Sequence, residues 1–553
     1  MIMGKIKLLF VLFFLLFGII IIKLFYLQIL NPQASHLNYL QTKKIYPERG
    51  KIYDRNKNPL VLNQNSYLLY IEPQKIKDKD KLVEKLDEIL KMGTSTLEAK
   101  IDETKYWVAI KSGIDEATKE TILRLNLDGI GFEQGMKRYY PEASLSSHLI
   151  GFVGKDEKGE DIGYFGLEGF YDKDLAGLPG FLETERDLLG QPIFIGTQEK
   201  VSAENGRDLI LAIDKTVQEI IKRKLKYGLE QYQAESGCII VADPGSMQIL
   251  GLVCLPDYDP EKYYQFSEAY FKNSAVSDLY EPGSTFKPLI VAAAIEEKKI
   301  KPDDTYNEKG PVEIGEYKIK TWDDKYEGKI SITRILEKSS NVGMVYIGEK
   351  LGRDKIYQYL QKYGFGQPTG IDLQGEIGGF LKQKSDWYPI DYATVTFGQG
   401  IAVTPIQMIR AFASIVNGGK LIRPTVVKTI VSSVGKREIK PKVERNVVSK
   451  RTSEIIKKML VSAVENGEFK WSKPKGYLIG GKTGTAQIAI SGHYDPSKTI
   501  ASFIGFAPAD EPKFIALVIL REPHASPWGS ETAAPLFFEV AKELLVYYNI
   551  SPE

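Results

Sequence analysis

The stretch from Leu8 to Ile22 carries no charge and is dense in Leu, Ile and Phe. A segment that is apolar on every face must be covered on every face, by a protein core or by lipid. Alone it falls slightly short of the ~20 residues that cross a bilayer. The apolar character resumes after Lys23 in Leu24, Phe25, Leu27, Ile29 and Leu30, and Lys23 can snorkel to the interface. One spanning helix over Ile6 to Leu30 is therefore expected. No A-x-A pattern follows Ile22, so an uncleaved anchor is preferred to a cleaved signal peptide. Lys5 and Lys7 favour a cytoplasmic N-terminus, although Lys23, Lys43 and Lys44 blunt the asymmetry. No second span follows, which puts nearly the whole chain on one side of the membrane.

At 553 residues the chain is too long for one average domain. Its net charge of +2 comes without a basic stripe, which argues against nucleic-acid binding. The four histidines (His36, His148, His493, His524) form no ligand-spaced cluster, so neither a metal site nor a Ser-His-Asp triad is expected. Cys238 and Cys254 lie on β-like runs that flank Asp243-Pro244-Gly245-Ser246. A hairpin would make them cross-strand neighbours, and the plainer reading is two free thiols buried in a sheet.

Residues Arg49 to Leu60 look like strand, turn, strand, and Lys77 to Lys91 reads as an amphipathic surface helix. A strand at Asp208 to Ile213 leads into a helical run from Thr216 to Tyr232, which places the main boundary near Gly206. The expected division is an anchor over 1–30, an elongated module over 31–205 and a larger domain over 206–553. That domain reads as strands Cys238 to Ala242 and Met247 to Cys254, then a helical middle. Strands Tyr477 to Ile490, Thr499 to Ala507 and Phe514 to Glu522 follow, with a closing helix from Ala533 to Tyr548. Short late connections predict an antiparallel sheet with helices grouped apart, an α+β fold.

Within that domain, Ser284 and Lys287 stand three residues apart in Glu281-Pro282-Gly283-Ser284-Thr285-Phe286-Lys287-Pro288, just ahead of an Ala-rich helical run. The spacing puts the lysine amine on the same helix face as the serine hydroxyl. Desolvation there would depress the lysine pKa and let a neutral amine take the serine proton. Alone the pattern is weak, since Ser433 to Lys436 and Ser472 to Lys475 repeat it in polar, loop-like surroundings. Ser339-Ser340-Asn341 lies between two helix-like runs, where a hydroxyl and an amide can reach a cleft or merely cap a helix. Lys482-Thr483-Gly484, followed by Thr485, sits on a strand. A glycine there permits close backbone approach, and a lysine beside hydroxyls suits a carboxylate. A β-bulge is the plain alternative, and Lys111-Ser112-Gly113 shows that such triplets also arise by chance. The order Ser-x-x-Lys, Ser-x-Asn, Lys-Thr-Gly is far more specific than any one member.

With these motifs the chain resembles the class B penicillin-binding proteins, which are peptidoglycan D,D-transpeptidases. The resemblance also takes in Arg49-Gly50 with Asp54-Arg55-Asn56, Arg138-Tyr139-Tyr140-Pro141, Gly166-Leu167-Glu168 and Phe397-Gly398-Gln399-Gly400 with Thr404-Pro405. The Glu-Pro-Gly lead-in is closer to division-type, FtsI-like members than to elongation-type ones. The resemblance implies a β-lactamase-like transpeptidase domain on a pedestal module, with no cofactor and no metal. It implies acylation of Ser284, with Lys287 as general base, Ser339 relaying protons and Asn341 holding the donor peptide. Lys482, Thr483, Gly484 and Thr485 would bind the terminal carboxylate, and the backbone N–H groups of Ser284 and Thr485 would form an oxyanion hole. Implied partners are peptidoglycan stem peptides, covalently bound β-lactams, the membrane, and a glycan polymerase of the shape, elongation, division and sporulation (SEDS) family with division proteins. The chain would be a single-pass protein of the cytoplasmic (inner) membrane with its catalytic domain on the periplasmic side. The capping-box form of Thr404-Pro405-Ile406-Gln407, ended by Gly418-Gly419, is read as structural. Rival readings are an elongation-type transpeptidase, a β-lactamase, and a β-lactam receptor or inert division scaffold.

Overall fold

The apolar N-terminal stretch forms a helix over Ile2–Phe25, continued by one π-helical turn over Tyr26–Leu30. It is long and apolar enough to cross a membrane, and the span from Gly4 to Ile29 is not buried within the protein. The computed structural model describes residues 2–30, 40–185, 198–490 and 493–552. His36 and the expected domain start at residue 31 lie outside the described residues.

The chain divides into two compact units. The first comprises Met1–Gly50 and Lys173–Arg207. It holds an antiparallel sheet in the order Leu40–Ile45, Gly180–Glu185, Gln198–Val201. The second comprises Lys51–Asp172 and Asp208–Glu553. In it a seven-stranded sheet joins Ile52–Tyr53 and Pro59–Ile71 to Asp208–Leu211 and Val427–Ser432, so sequence-distant segments share one ladder. Asp54, fully buried, fastens the same junction. Its carboxylate accepts from the backbone N–H groups of Asn56, Asn58 and Lys215 at 2.8, 2.7 and 3.2 Å. Arg138 reaches the buried Glu168 at 2.7 Å, which gives two of the sequence motifs a structural role.

A five-stranded sheet of the second unit positions the chemistry. Its strands are β1 (Ser236–Ala242), β2 (Ile249–Leu255), β3 (Gly480–Ile490), β4 (His493–Ala507) and β5 (Phe514–Arg521). They are antiparallel in the order β2-β1-β5-β4-β3, which leaves β3 at an edge. Helices α1 (Lys215–Tyr232) and α5 (Ala533–Tyr547) cover one face and meet Ile239, Phe503 and Val518 in a single apolar core. β5 is buried from Phe514 to Leu520, as a strand covered on both faces should be. Removing the ring of Phe503 from this core would cost about 3–5 kcal/mol.

One expectation is overturned here. Cys238 and Cys254 are not free thiols but a disulfide across the β1–β2 ladder. Their Cα atoms are only 4.1 Å apart, the close spacing of a non-hydrogen-bonded antiparallel pair. Linking residues 16 apart in sequence stabilises the fold by about 3 kcal/mol through loop closure in the unfolded chain.

Candidate active site

The Ser284 turn owes its shape to Gly283. The backbone there has φ 55°, and the Gly283 N–H donates to the Gly398 carbonyl at 3.0 Å. A Cβ at Gly283 would stand 3.0 Å from the Thr485 carbonyl oxygen, so the turn lies hard against β3. Gly283–Phe286 form a 3-10 turn that runs straight into α2 (Lys287–Glu296), with Pro288 tolerated in the first helical turn. α2 is buried from Lys287 to Ile295, which explains its run of Ala, Val and Ile and fixes Lys287 in the interior.

Ser339 and Asn341 approach from the junction of α3 (Ile332–Lys338) and α4 (Asn341–Leu351). Ser339 ends α3 in the left-handed conformation at φ 61°, and Ser340 caps α4 by accepting from the Gly343 N–H. This sharp reversal presents three oxygens to one amine. Lys287 Nζ stands 2.5 Å from the Ser339 carbonyl, 2.8 Å from Asn341 Oδ1 and 3.1 Å from the Ser339 hydroxyl. A neutral amine there donates to the carbonyl and to Asn341 Oδ1 and can accept from the hydroxyl. None of the three groups is charged.

On β3 successive side chains face opposite ways. Thr483 and Thr485 turn toward the cleft, while Lys482 is buried with only 1 % of its surface accessible. The Lys482 amine donates to the Thr483 hydroxyl at 3.1 Å. A Cβ at Gly484 would come within 2.9 Å of the Pro282 carbonyl, so the glycine is needed for the strand to meet the serine turn. The Thr485 hydroxyl accepts the Gly529 N–H at 2.9 Å.

These elements enclose a cleft of about 170 Å³ lined by Ser284, Ser339, Asn341, Thr483 and Thr485. Of the eight residues picked out in the sequence, these five line it. Lys287 and Lys482 lie beneath, and Gly484 shapes the backbone. Burial pushes the Lys287 amine well below the usual lysine value, and the nearby Lys482 charge pushes it further the same way. Burial also brings Lys482 down to about 8, against the opposing pull of the Glu468 carboxylate. A lysine held neutral can accept a proton, and Ser284 lines the same cleft as Ser339 and Asn341, which bind this amine.

Sequence reasoning left out several lining residues. Trp322 and Trp528 pack edge to face at 5.4 Å on one side, near Glu468, Ser530 and Glu531. Phe397 and Gln399 belong to a motif that carried the resemblance but received no role. Trp322, Glu468 and the Trp528–Glu531 turn are three segments far apart in the chain, with no local pattern to mark them.

The penicillin-binding protein transpeptidase domain matches residues 237–542, and the penicillin-binding protein dimerisation domain matches 44–211. The chain is a class B penicillin-binding protein. Such a protein is a serine-type transpeptidase, and the Ser284 cleft falls within the matched domain. The chain is 33 % identical over 567 residues to "Stage V sporulation protein D" of Bacillus subtilis, covering 98 % of this chain and 86 % of that protein. It is 28 % identical over 543 residues to "Peptidoglycan D,D-transpeptidase FtsI" of Escherichia coli, covering 96 % and 89 %. Among solved structures, a peptidoglycan synthetase from Bifidobacterium adolescentis superposes with a TM-score of 0.75 at 27 % identity, covering 93 % and 98 %. Penicillin Binding Protein 2X from Streptococcus thermophilus gives 0.75 at 26 %, covering 92 % and 80 %.

Proposed function

We propose that this penicillin-binding protein cross-links peptidoglycan stem peptides through an acyl-enzyme on Ser284. The observation that carries the reading is the buried Lys287 amine, desolvated and held only by neutral acceptors below a cleft lined by Ser284. Ser284 Oγ attacks the carbonyl carbon of the penultimate D-alanine while its proton passes to neutral Lys287. The backbone N–H groups of Ser284 and Thr485 hold the developing oxyanion. The peptide C–N bond breaks, and the terminal D-alanine leaves with a proton relayed through Ser339. An amine of a second stem peptide then attacks the ester. A new C–N bond forms, the bond to Ser284 Oγ breaks, and the serine regains its proton. Asn341 positions the donor peptide, and Lys482, Thr483, Gly484 and Thr485 receive its terminal carboxylate. A β-lactam, whose carboxylate and strained amide imitate the donor, acylates the same serine.

The division we propose is an anchor over 1–30, a pedestal over 31–205 and the transpeptidase domain over 206–553. The N-terminal helix anchors the chain with its catalytic domain on the outer, periplasmic face of the cytoplasmic membrane. The Cys238–Cys254 disulfide supports this placement, since such bonds persist in oxidising compartments. Similarity to a protein named peptidoglycan D,D-transpeptidase FtsI supports the cross-linking reading; to it we add, as the finer proposal, a role in septal wall synthesis beside a SEDS-family polymerase. Labelling with a fluorescent penicillin tests the core of the reading. Wild-type protein should form a lasting adduct and Ser284→Ala none; labelling that survives in the variant would sink the assignment.

A further inference from the structure

Behind the cleft, the loop that presents Ser339 and Asn341 is held by a group with no contact to the cleft. Glu308 ends the strand Thr305–Glu308 and is 1 % exposed. One of its carboxylate oxygens accepts the hydroxyl of Ser340, the residue between Ser339 and Asn341. The other accepts the Glu327 N–H at 3.2 Å and faces the Lys338 ammonium at 3.4 Å. Lys338 is itself buried and donates to the Lys325 carbonyl at 2.6 Å.

The direction of these contacts matters. Ser340 points backward into Glu308 while its two neighbours point forward to Lys287. Ser339 sits at φ 61°, a conformation that a non-glycine residue keeps only when its surroundings impose it. The same carboxylate and its lysine also hold Lys325 and Glu327. Their segment carries Lys320, whose carbonyl accepts from Asn341 Nδ2 at 3.1 Å, and Trp322, which lines the cleft. One buried ion pair thus ties the Ser339–Asn341 turn and the Trp322 wall to one strand. A buried pair of this kind adds little net stability over apolar residues, so its value lies in the geometry it holds.

We infer that Glu308, together with Lys338, is a positioning residue for acylation: it sets where the Ser339 and Asn341 oxygens meet the Lys287 amine without touching substrate. The inference rests on the proposed roles of Ser284 and Lys287. The test uses the full-length chain in detergent and single-turnover acylation by fluorescent penicillin. The limiting rate per titratable active site is separated from the half-saturating concentration. Counting only competent sites removes any effect of lost folding. Glu308→Ala should lower the limiting rate roughly 10²-fold, the scale of a misplaced catalytic group, with a much smaller change in half-saturation. Glu308→Gln combined with Lys338→Met keeps an acceptor for Ser340 and leaves no buried charge alone, so it should recover most of that loss. If Glu308→Ala fails to fold, Ser340→Ala removes the hydroxyl link to Glu308, together with its cap on the Gly343 N–H, and should lower the limiting rate in the same sense. A limiting rate within about twofold of wild type in whichever variant folds would overturn the inference. So would a loss that the double variant fails to recover while it melts like wild type. Absence of labelling in wild-type protein would instead bring down the acyl-enzyme reading itself, and this inference with it.

Discussion

Ser433 and Lys436 share the spacing of Ser284 and Lys287, yet the two pairs occupy opposite kinds of environment. Ser433 to Lys436 cross the turn between strands Val427–Ser432 and Gly435–Glu438, where Val434 is 96 % exposed. The lysine there is exposed. Lys287 is wholly buried at the start of a buried helix, bonded to three neutral oxygens with a second buried lysine nearby. Among the described residues no carboxylate pairs with it. The comparison teaches that spacing supplies only the reach between hydroxyl and amine. Chemistry at neutral pH depends on what surrounds the amine.

The strongest way to break this comparison is to remove each lysine in turn. Lys287→Met should slow acylation by a fluorescent penicillin roughly 10³-fold, the range for loss of a general base. Lys436→Met should leave the rate untouched. Equal effects from the two would erase the distinction.

Lys482 sharpens it next. Lys482→Met should raise the half-saturating concentration of a carboxylate-bearing penicillin about 10–100-fold, the worth of one charge-assisted hydrogen bond. It should also shift the pH profile. The Lys482 charge helps to depress Lys287, so its removal lets the Lys287 pKa rise. The acid limb of the acylation rate, below which the base is protonated, should move to higher pH. A limb that stays fixed or moves down would contradict the coupling.

The smallest expected effect concerns stability. Lys287 has a folded-state pKa below its unfolded value, so over the interval between them the unfolded chain binds more protons. Stability therefore rises with pH across that window, and at lower pH the full penalty of the buried ammonium remains. Lys287→Met should melt a few degrees above wild type at neutral pH, the usual exchange of stability for activity. The gap should narrow as pH climbs toward ~10.4, the unfolded lysine value. Thermal melts across pH would check this, and a gap that widens with pH would refute it.

Much of this was legible beforehand because it is written in local patterns. The strands of the catalytic sheet, the closing helix and the capping box at Thr404 follow from periodicity and turn chemistry. The Thr404 hydroxyl and the Gln407 amide bond reciprocally as the motif requires. Five of the eight chosen residues line one cleft because three motifs on a turn, a helix junction and a strand converge there. The disulfide was misread, since a cross-strand pair of cysteines looks the same in sequence whether bonded or free. Trp322, Glu468 and the pair Trp528 and Glu531 carry no such mark because they approach the cleft from three unrelated segments.

By itself, then, the sequence determined the apolar N-terminal helix, the alternation of strands and helices, and the three motifs with their order. Each depends on residues within a few positions of one another, where periodicity, capping and side-chain reach act directly. Only the tertiary structure decided which Ser-x-x-Lys would be buried and that the two cysteines would be bonded. It also decided that Glu308 would stand behind Ser340. Those outcomes depend on which distant segments exclude water from the same place, and no local pattern records that.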